Sequence, residues 1–238
     1  MKVLAHLSDL HFGRVDPQAL EPLRRRLREL APDLVVVSGD LTQRARKRQF
    51  LAARAFLDTL PKPQVVVPGN HDVPLFNVFA RFLAPLAGYR RAIAAELEPS
   101  YVDDEIALLG INTARSFKWK SGAVSESQLA RVRELARLDR ALKVLVTHHP
   151  LAHLVDCGVD VLLTGHLHST KVFFGKALMI QGGTATSRRT RAEPNSFNLL
   201  RMGRPRIDVE QYVLRGAEFV RHAKLSYARE NGGWIPIA

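Results

Sequence analysis

The chain has 238 residues, of which 46% are hydrophobic, so it is long enough for one α/β domain with a sizeable core, and its composition argues against disorder. Its formal net charge of +12 fits three kinds of partner: an anionic small substrate, nucleic acid or an anionic membrane surface. No apolar run reaches the ~18 residues that a membrane-spanning helix needs, so we expect no transmembrane segment.

The amino terminus and the cysteine content indicate the compartment. The first apolar residues are followed at once by Ser8 and Asp9, which is too short a stretch for a signal peptide. Cys157 is the one cysteine, so no internal disulfide forms, and its mixed apolar surroundings favour a small core residue over a nucleophile. We therefore expect a cytoplasmic protein that folds as a single domain over residues 1–238.

The first third of the chain alternates strands with helices. Apolar runs predict strands at 2–7, 34–37 and 64–67, and helical spacing predicts helices at 18–30 and about 49–60. This alternation indicates a layered α/β fold, in which ligands bind at the carboxyl ends of the strands. The three strands are followed by polar residues that suit metal binding and proton transfer: Asp9 and His11, then Asp40, then Asn70, His71 and Asp72.

Residues 73–100 change character and predict a small helical insertion over the site. We expect its helically spaced aromatic residues, Phe76, Phe79 and Phe82, to pack against the core. A hairpin over 101–111 and a helix from about 125 to 138 follow.

The second half repeats the pattern of an apolar strand followed by imidazoles. A strand at 143–147 leads to His148, and a strand at 159–163 leads to His166 and His168. Residues 171–214 then predict a run of antiparallel strands, and the segment from 216 onward predicts a terminal strand or loop with little chemistry.

The polar strand ends supply a complete set of metal ligands. Oxygen donors combined with imidazoles suit Mn, Fe or Zn better than Ca or Mg, and seven ligands suit two divalent ions better than one. Asp40 is the natural bridge, because a carboxylate has two oxygens. Two such ions activate water and clamp the oxygens of an in-line displacement, which favours hydrolysis of a phosphate ester. The seven predicted ligands are Asp9, His11, Asp40, Asn70, His148, His166 and His168.

The motifs D-x-H, G-D, G-N-H-D, H-x-P and G-H-x-H occur in this order between residues 9 and 168, and together they resemble the calcineurin-like metallophosphoesterase family. The resemblance implies an αββα sandwich of two mixed β-sheets between helices. It assigns Asp9, His11, Asp40 and His168 to one metal, and Asp40, Asn70, His148 and His166 to the other.

The resemblance also implies catalytic roles for two neighbouring residues. His71 would protonate the leaving oxygen or stabilise the transition state beside the phosphate, and Asp72 would orient it. The same motifs favour His148 over His149 as the metal ligand. His6, His149, His153 and His222 are expected to be structural, with His149 a candidate to support a ligand.

Several functions remain open on this scaffold. The leading hypothesis is a phosphodiesterase for small anionic diesters such as cyclic nucleotides, because the sequence around 39–43 and 148–150 resembles the branch with bacterial cyclic-nucleotide phosphodiesterases. The basic loops 44–48 and 187–191 keep a nuclease open, although no interleaving of aromatic and basic residues is evident. A lipid-nucleotide pyrophosphatase that docks through 73–100 is a further alternative. A non-catalytic binding scaffold is the least favoured, because every motif position is intact.

Overall fold

The computed structural model describes residues 1–118, 120–139, 141–190 and 193–237, and in these parts of the chain thirteen strands form two β-sheets. The strands are β1 (Lys2–Leu7), β2 (Leu34–Val37), β3 (Gln64–Val66), β4 (Ser100–Val102), β5 (Ile106–Gly110), β6 (Leu142–Val146), β7 (Val161–Thr164), β8 (Lys171–Phe173), β9 (Leu178–Gln181), β10 (Ser196–Met202), β11 (Arg206–Arg215), β12 (Glu218–Glu230) and β13 (Gly233–Ile237). The α-helices are α1 (Pro17–Leu30), α2 (Lys47–Leu57), α3 (Val78–Leu83), α4 (Ala87–Ala92) and α5 (Glu126–Ala136).

Both sheets are mixed. The first has the order β13-β12-β11-β10-β1-β2-β3, in which β1, β2 and β3 run parallel and the other strands are antiparallel to their neighbours. The second has the order β4-β5-β6-β7-β9-β8, in which the four central strands are parallel and the two edge strands antiparallel. The parallel strands of each sheet therefore end at one edge, where their following loops can meet.

The alternation of side chains along the strands produces four layers. On β1, Leu4 packs into a cluster shared by both sheets, whereas Ala5 and Leu7 pack under α1 and α2. On the other side, Val132 and Leu135 of α5 pack on the outer face of the second sheet. The expected sandwich of two mixed sheets between helices is thus confirmed.

The carboxyl-terminal third differs from its prediction. Residues 171–214 do not form one antiparallel run: β8 and β9 belong to the second sheet, with β9 parallel to β7, and β10 begins the antiparallel half of the first sheet. The segment after residue 216 is not a minor terminal element, because β12 has 13 residues and pairs with β11 and β13. Sheet membership depends on partners distant in sequence, which local patterning does not report.

The helical insertion is present, but its aromatic residues do not pack as predicted. Phe76 is 74% exposed, Phe79 80% and Phe82 43%, and α3 has no buried residue. The insertion is held instead by α4, whose Tyr89 is fully buried and donates a hydrogen bond to the Val66 carbonyl at 2.8 Å. Helical spacing shows that a stripe exists but not which element it faces.

The helices of the described ranges are short. None of them is both long enough and apolar enough to cross a bilayer, and α1, the longest, has 14 residues.

Candidate metal centre

Loops from both sheets interlock at the carboxyl ends of the parallel strands. The first two loops are joined by backbone bonds from Asp9 N to the Gly39 carbonyl at 3.1 Å and from His11 N to the Asp40 carbonyl at 2.9 Å. The two sheets are joined by His166 N, which donates to Asp9 Oδ2 at 3.0 Å. The predicted ligands therefore converge although they lie as far apart as residues 9 and 168 in the chain.

The backbone at these loops is strained. Among the described residues, eight that are not glycine have a positive φ, and five of the eight are predicted ligands. Such left-handed conformations cost a side-chain-bearing residue on the order of 1–3 kcal/mol and cluster at functional sites. The five ligands are Asp9 (φ 54°), His11 (φ 48°), Asp40 (φ 53°), His166 (φ 73°) and His168 (φ 56°).

Four predicted ligands form the first group. Ligand atoms of Asp9, His11, Asp40 and His168 lie within 4.8 Å of one another, and all four side chains are buried. His11 Nε2 lies 3.5 Å from Asp9 Oδ1 and 3.6 Å from Asp40 Oδ2, and His168 Nε2 lies 3.1 Å from Asp9 Oδ1. This is the set that the family resemblance assigns to one metal.

The second group lies on the other side of Asp40. His148 Nε2 lies 3.4 Å from Asp40 Oδ1 and 3.0 Å from Asn70 Oδ1, and His166 Nδ1 lies 2.9 Å from the same Asn70 oxygen. Asp40 therefore turns Oδ2 toward one group and Oδ1 toward the other. Gly69 permits this close approach, because a Cβ at that position would collide with the Asp40 backbone nitrogen and carboxylate.

The hydrogen bonds around the imidazoles fit a metal site. His148 Nδ1 lies 2.8 Å from the Ser38 carbonyl and His168 Nδ1 lies 2.7 Å from the Arg189 carbonyl. A carbonyl only accepts, so each Nδ1 carries a hydrogen and each ring turns Nε2 into the centre. Asp40 Oδ2 and Asp9 Oδ1 are buried there without a hydrogen-bond partner of acceptable geometry among the described residues.

The pKa shifts of Asp40 and His148 also fit a site that brings carboxylates and imidazoles together. Burial alone raises the pKa of Asp40, but His148 and His11 outweigh it and hold that pKa well below its usual range. For His148 burial lowers the pKa, but the carboxylates of Asp40 and Asp9 raise it to about 9. His11 Nε2 and His168 Nε2 lie only 3.1 Å apart. Two ring nitrogens that both present lone pairs repel each other at this distance, unless a proton or a cation lies between them. The donor set therefore fits divalent transition metals.

His71 lies beside this centre with both ring nitrogens occupied. Nδ1 lies 3.0 Å from the Gln43 carbonyl, and Nε2 accepts a hydrogen bond from Arg189 Nη1 at 2.9 Å. Its backbone N donates to Asp40 Oδ1 at 2.8 Å. Burial lowers the pKa of His71 to about 4, with the charges of His11 and Arg189 adding to the effect and Asp40 opposing it.

Asp72 bonds mainly to the neighbouring loop. Its carboxylate accepts from the backbone N–H groups of Leu41, Thr42 and Gly69 at 2.9–3.2 Å and from the Thr42 hydroxyl at 2.9 Å. Burial and the charge of Asp40 raise the pKa of Asp72 to about 7, although these donors lower it. These bonds hold the loops after β2 and β3 together, while the role of orienting His71 stays a prediction.

A pocket of about 620 Å³ opens above the two groups. Its walls contain four cationic side chains, so an anionic ligand is favoured. Arg44 and Arg189 belong to the two basic loops, 44–48 and 187–191. Arg14 and Lys120 were not predicted from the sequence. The four are Arg14, Arg44, Lys120 and Arg189.

The signal for Lys120 was present in the sequence. Aromatic and basic residues alternate over 117–120, so the expectation that the chain lacks such interleaving was wrong. This stretch lies outside the two basic loops. Trp119 in this stretch and Arg191 of the second basic loop lie outside the described residues.

His149 lies against the second group. Its Nδ1 lies 2.8 Å from Thr113 Oγ1, and its ring centroid is 4.7 Å from that of His166. These contacts suit the predicted role of supporting a ligand. His6 is fully buried with Nε2 2.9 Å from Ser38 Oγ, as expected of a structural histidine.

Comparison with solved structures shows the class to which this fold belongs. A dimetal phosphatase from Danio rerio superposes with a TM-score of 0.67 at 13% identity, covering 92% of this chain and 98% of that one. The model of the calcineurin-like phosphoesterase family matches residues 2–170. The chain belongs to the calcineurin-like phosphoesterase family.

Two curated relatives are phosphodiesterases by name. The glycerophosphodiester phosphodiesterase GpdQ of Enterobacter lignolyticus (strain SCF1) is 27% identical over 182 residues, which are 70% of this chain and 63% of the relative. The "Probable cyclic nucleotide phosphodiesterase" of Synechococcus is 26% identical over 159 residues, which are 62% of this chain and 57% of the relative. The chain thus spans about three fifths of the length of these relatives.

Proposed function

We propose that this protein is a dimetal phosphodiesterase that hydrolyses small anionic phosphodiesters such as cyclic nucleotides. The observation that carries the proposal is the position of Asp40, whose two oxygens face separate groups of donors at the floor of a cationic pocket. The names of the two curated relatives support the diester as the substrate class.

The predicted ligands would hold the two ions. Asp9, His11, Asp40 and His168 form one group, and Asp40 with Asn70, His148 and His166 the other. Two bound Mn, Fe or Zn ions would supply an activated water and charge stabilisation for an in-line displacement at phosphorus.

His71 and Arg189 would act on the phosphate and the leaving group. An entering phosphate offers its oxygens to Arg189, which frees His71 Nε2 from the bond that Arg189 donates to it. The negative charge of the phosphate also raises the pKa of the ring, so that the freed Nε2 would take up a proton from solvent and donate it to the leaving alkoxide. Gln43 keeps the ring in place by accepting from Nδ1.

The experiment is an assay of manganese-loaded protein on bis(p-nitrophenyl) phosphate, with p-nitrophenyl phosphate as the monoester comparison. We expect hydrolysis of the diester, and its loss in Asp40→Ala and His71→Ala. His222→Ala is the matched control, because this histidine lies on β12 and outside the pocket lining. A wild-type rate no higher than that of Asp40→Ala would sink the proposal.

A nuclease is the second candidate, favoured by the four cations around the pocket. Cleavage of single-stranded DNA that weakens steeply with salt would support it. If the protein is a nuclease, its activity on single-stranded DNA should exceed its activity on cyclic nucleotides, whereas we propose the reverse.

A further inference from the structure

One face of the molecule exposes an apolar cluster that no part of the described chain covers. It comprises residues of the insertion and of the loop before α5: Phe76, Val78, Phe79, Phe82, Leu83 and Phe117. Exposures are 60% for Val78, 81% for Leu83 and 88% for Phe117, and the Phe82 and Phe117 rings lie 4.7 Å apart. We call these six residues the apolar face. Contiguous exposed apolar clusters mark interaction sites.

Polar bonds fix this face in position. Arg81 of α3 donates to the Ser116 carbonyl through Nε at 3.0 Å and to the Pro74 carbonyl at 3.3 Å. Ser116 Oγ donates back to the Arg81 carbonyl at 2.5 Å. Because α3 is held through these bonds and buries none of its own side chains, its apolar residues remain available to an external surface.

Several cationic side chains lie close to the apolar face along the chain. The segments 41–57, 73–95 and 106–125, which contain the apolar face or line the adjoining cavity, carry five, three and three Lys or Arg and no Asp or Glu in sequence. Arg46, Lys47 and Lys118 are exposed, and the Arg44 guanidinium lies 5.4 Å from the centre of the Phe76 ring. The apolar face therefore has cationic side chains beside it.

We propose that the apolar face docks this protein onto a membrane surface that contains anionic lipids. Aromatic and aliphatic side chains would enter the boundary between headgroups and acyl chains, while the surrounding Lys and Arg contact the lipid phosphates. Val78 and Leu83 favour a bilayer over nucleic acid, because aliphatic side chains do not stack on bases. A second copy is disfavoured, because two such faces would oppose like charges.

The docked position would bring the candidate metal centre to the membrane. An apolar cavity of about 590 Å³ lies behind Phe76, between α2 and α4, and shares Arg44 and Leu75 with the metal pocket. The docking proposal does not depend on catalysis.

The experiment is co-sedimentation of the full chain with phosphatidylcholine vesicles, with and without phosphatidylglycerol, at low and at physiological salt. We expect binding only to the vesicles with phosphatidylglycerol. The double variant Phe79→Ser with Leu83→Ser should lose at least ~10-fold in affinity, because it removes two exposed apolar side chains that would enter the bilayer. Its activity on bis(p-nitrophenyl) phosphate should equal that of the wild type, which separates a failure of docking from a failure of the proposed function.

The matched control is Val102→Ser with Phe174→Ser. These residues are 65% and 56% exposed, on β4 and beside β8 at the two edges of the second sheet, and their replacement should leave vesicle binding unchanged. Failure of the wild type to bind the anionic vesicles, or equal binding by the Phe79 and Leu83 variant, overturns the proposal. So does binding of single-stranded DNA without vesicle binding, which would assign the face to nucleic acid.

Discussion

Backbone strain and side-chain chemistry coincide at the residues of the candidate centre. Asp40 shows both, since its φ is 53° and its two oxygens face the two donor groups. The sequence predicted these residues because their types and order are visible in it. It did not predict the left-handed backbone, because that conformation is imposed by contacts between distant loops such as His166 N with Asp9.

The strain at His168 is measurable. The variants His168→Gly and His168→Ala lose the same imidazole, but glycine adopts a φ of 56° without a clash of Cβ. We expect the glycine variant to be more stable than the alanine variant by about 1 kcal/mol, despite its larger chain entropy when unfolded. Urea unfolding of both proteins in EDTA checks this, and a more stable alanine variant would show that the strain is absent.

Arg189 is expected to contribute directly to the reaction. Its guanidinium bonds to His71 inside the pocket, so Arg189→Ala should lower kcat/KM for a diester by ~10²-fold, with Arg189→Lys intermediate. Arg188→Ala is the matched control, because Arg188 is the exposed neighbour and does not line the pocket. Steady-state kinetics with equal losses in the two alanine variants would assign the effect to overall charge.

At the scale of elements, β-strands and their polar ends were predictable because apolar runs and turn residues are local signals. The distribution of strands between the sheets was not, since β8 and β9 join one sheet and β10 the other through partners far along the chain. The insertion shows the same limit. Its helical spacing was predicted correctly, but its packing was not, because spacing alone does not show that α3 buries no residue and that Tyr89 of α4 is buried.

Among the aromatic side chains of the insertion, the buried Tyr89 of α4 is expected to contribute more to stability than the exposed ones of α3. Tyr89→Phe removes a buried donor to the Val66 carbonyl and should lower the free energy of unfolding by about 1–2 kcal/mol. Phe79→Ser, at a side chain that is 80% exposed, should change it by less than about 0.5 kcal/mol. Chemical denaturation of both variants measures the difference, and the reverse order would contradict this account of the insertion.

Across the whole molecule, the two sheets present the ends of their parallel strands on one side, and four cationic side chains line the pocket that opens there. The net charge of +12 indicated an anionic partner but not where it binds. The place where an anionic partner would bind is visible only in the fold, because the fold brings four cations together from separate loops. They are Arg14, Arg44, Lys120 and Arg189.

In the proposed centre the Asp40 carboxylate joins two metal sites, and the number of ions bound per chain checks this arrangement. Protein stripped with chelator, reloaded with Mn²⁺ and freed of excess should retain two ions per chain by elemental analysis. His168→Ala, which removes a ligand from one group only, should retain about one ion, and Asp40→Ala should retain less than one. A wild type that holds a single ion or none, or an Asp40→Ala variant that still holds two, would contradict the account.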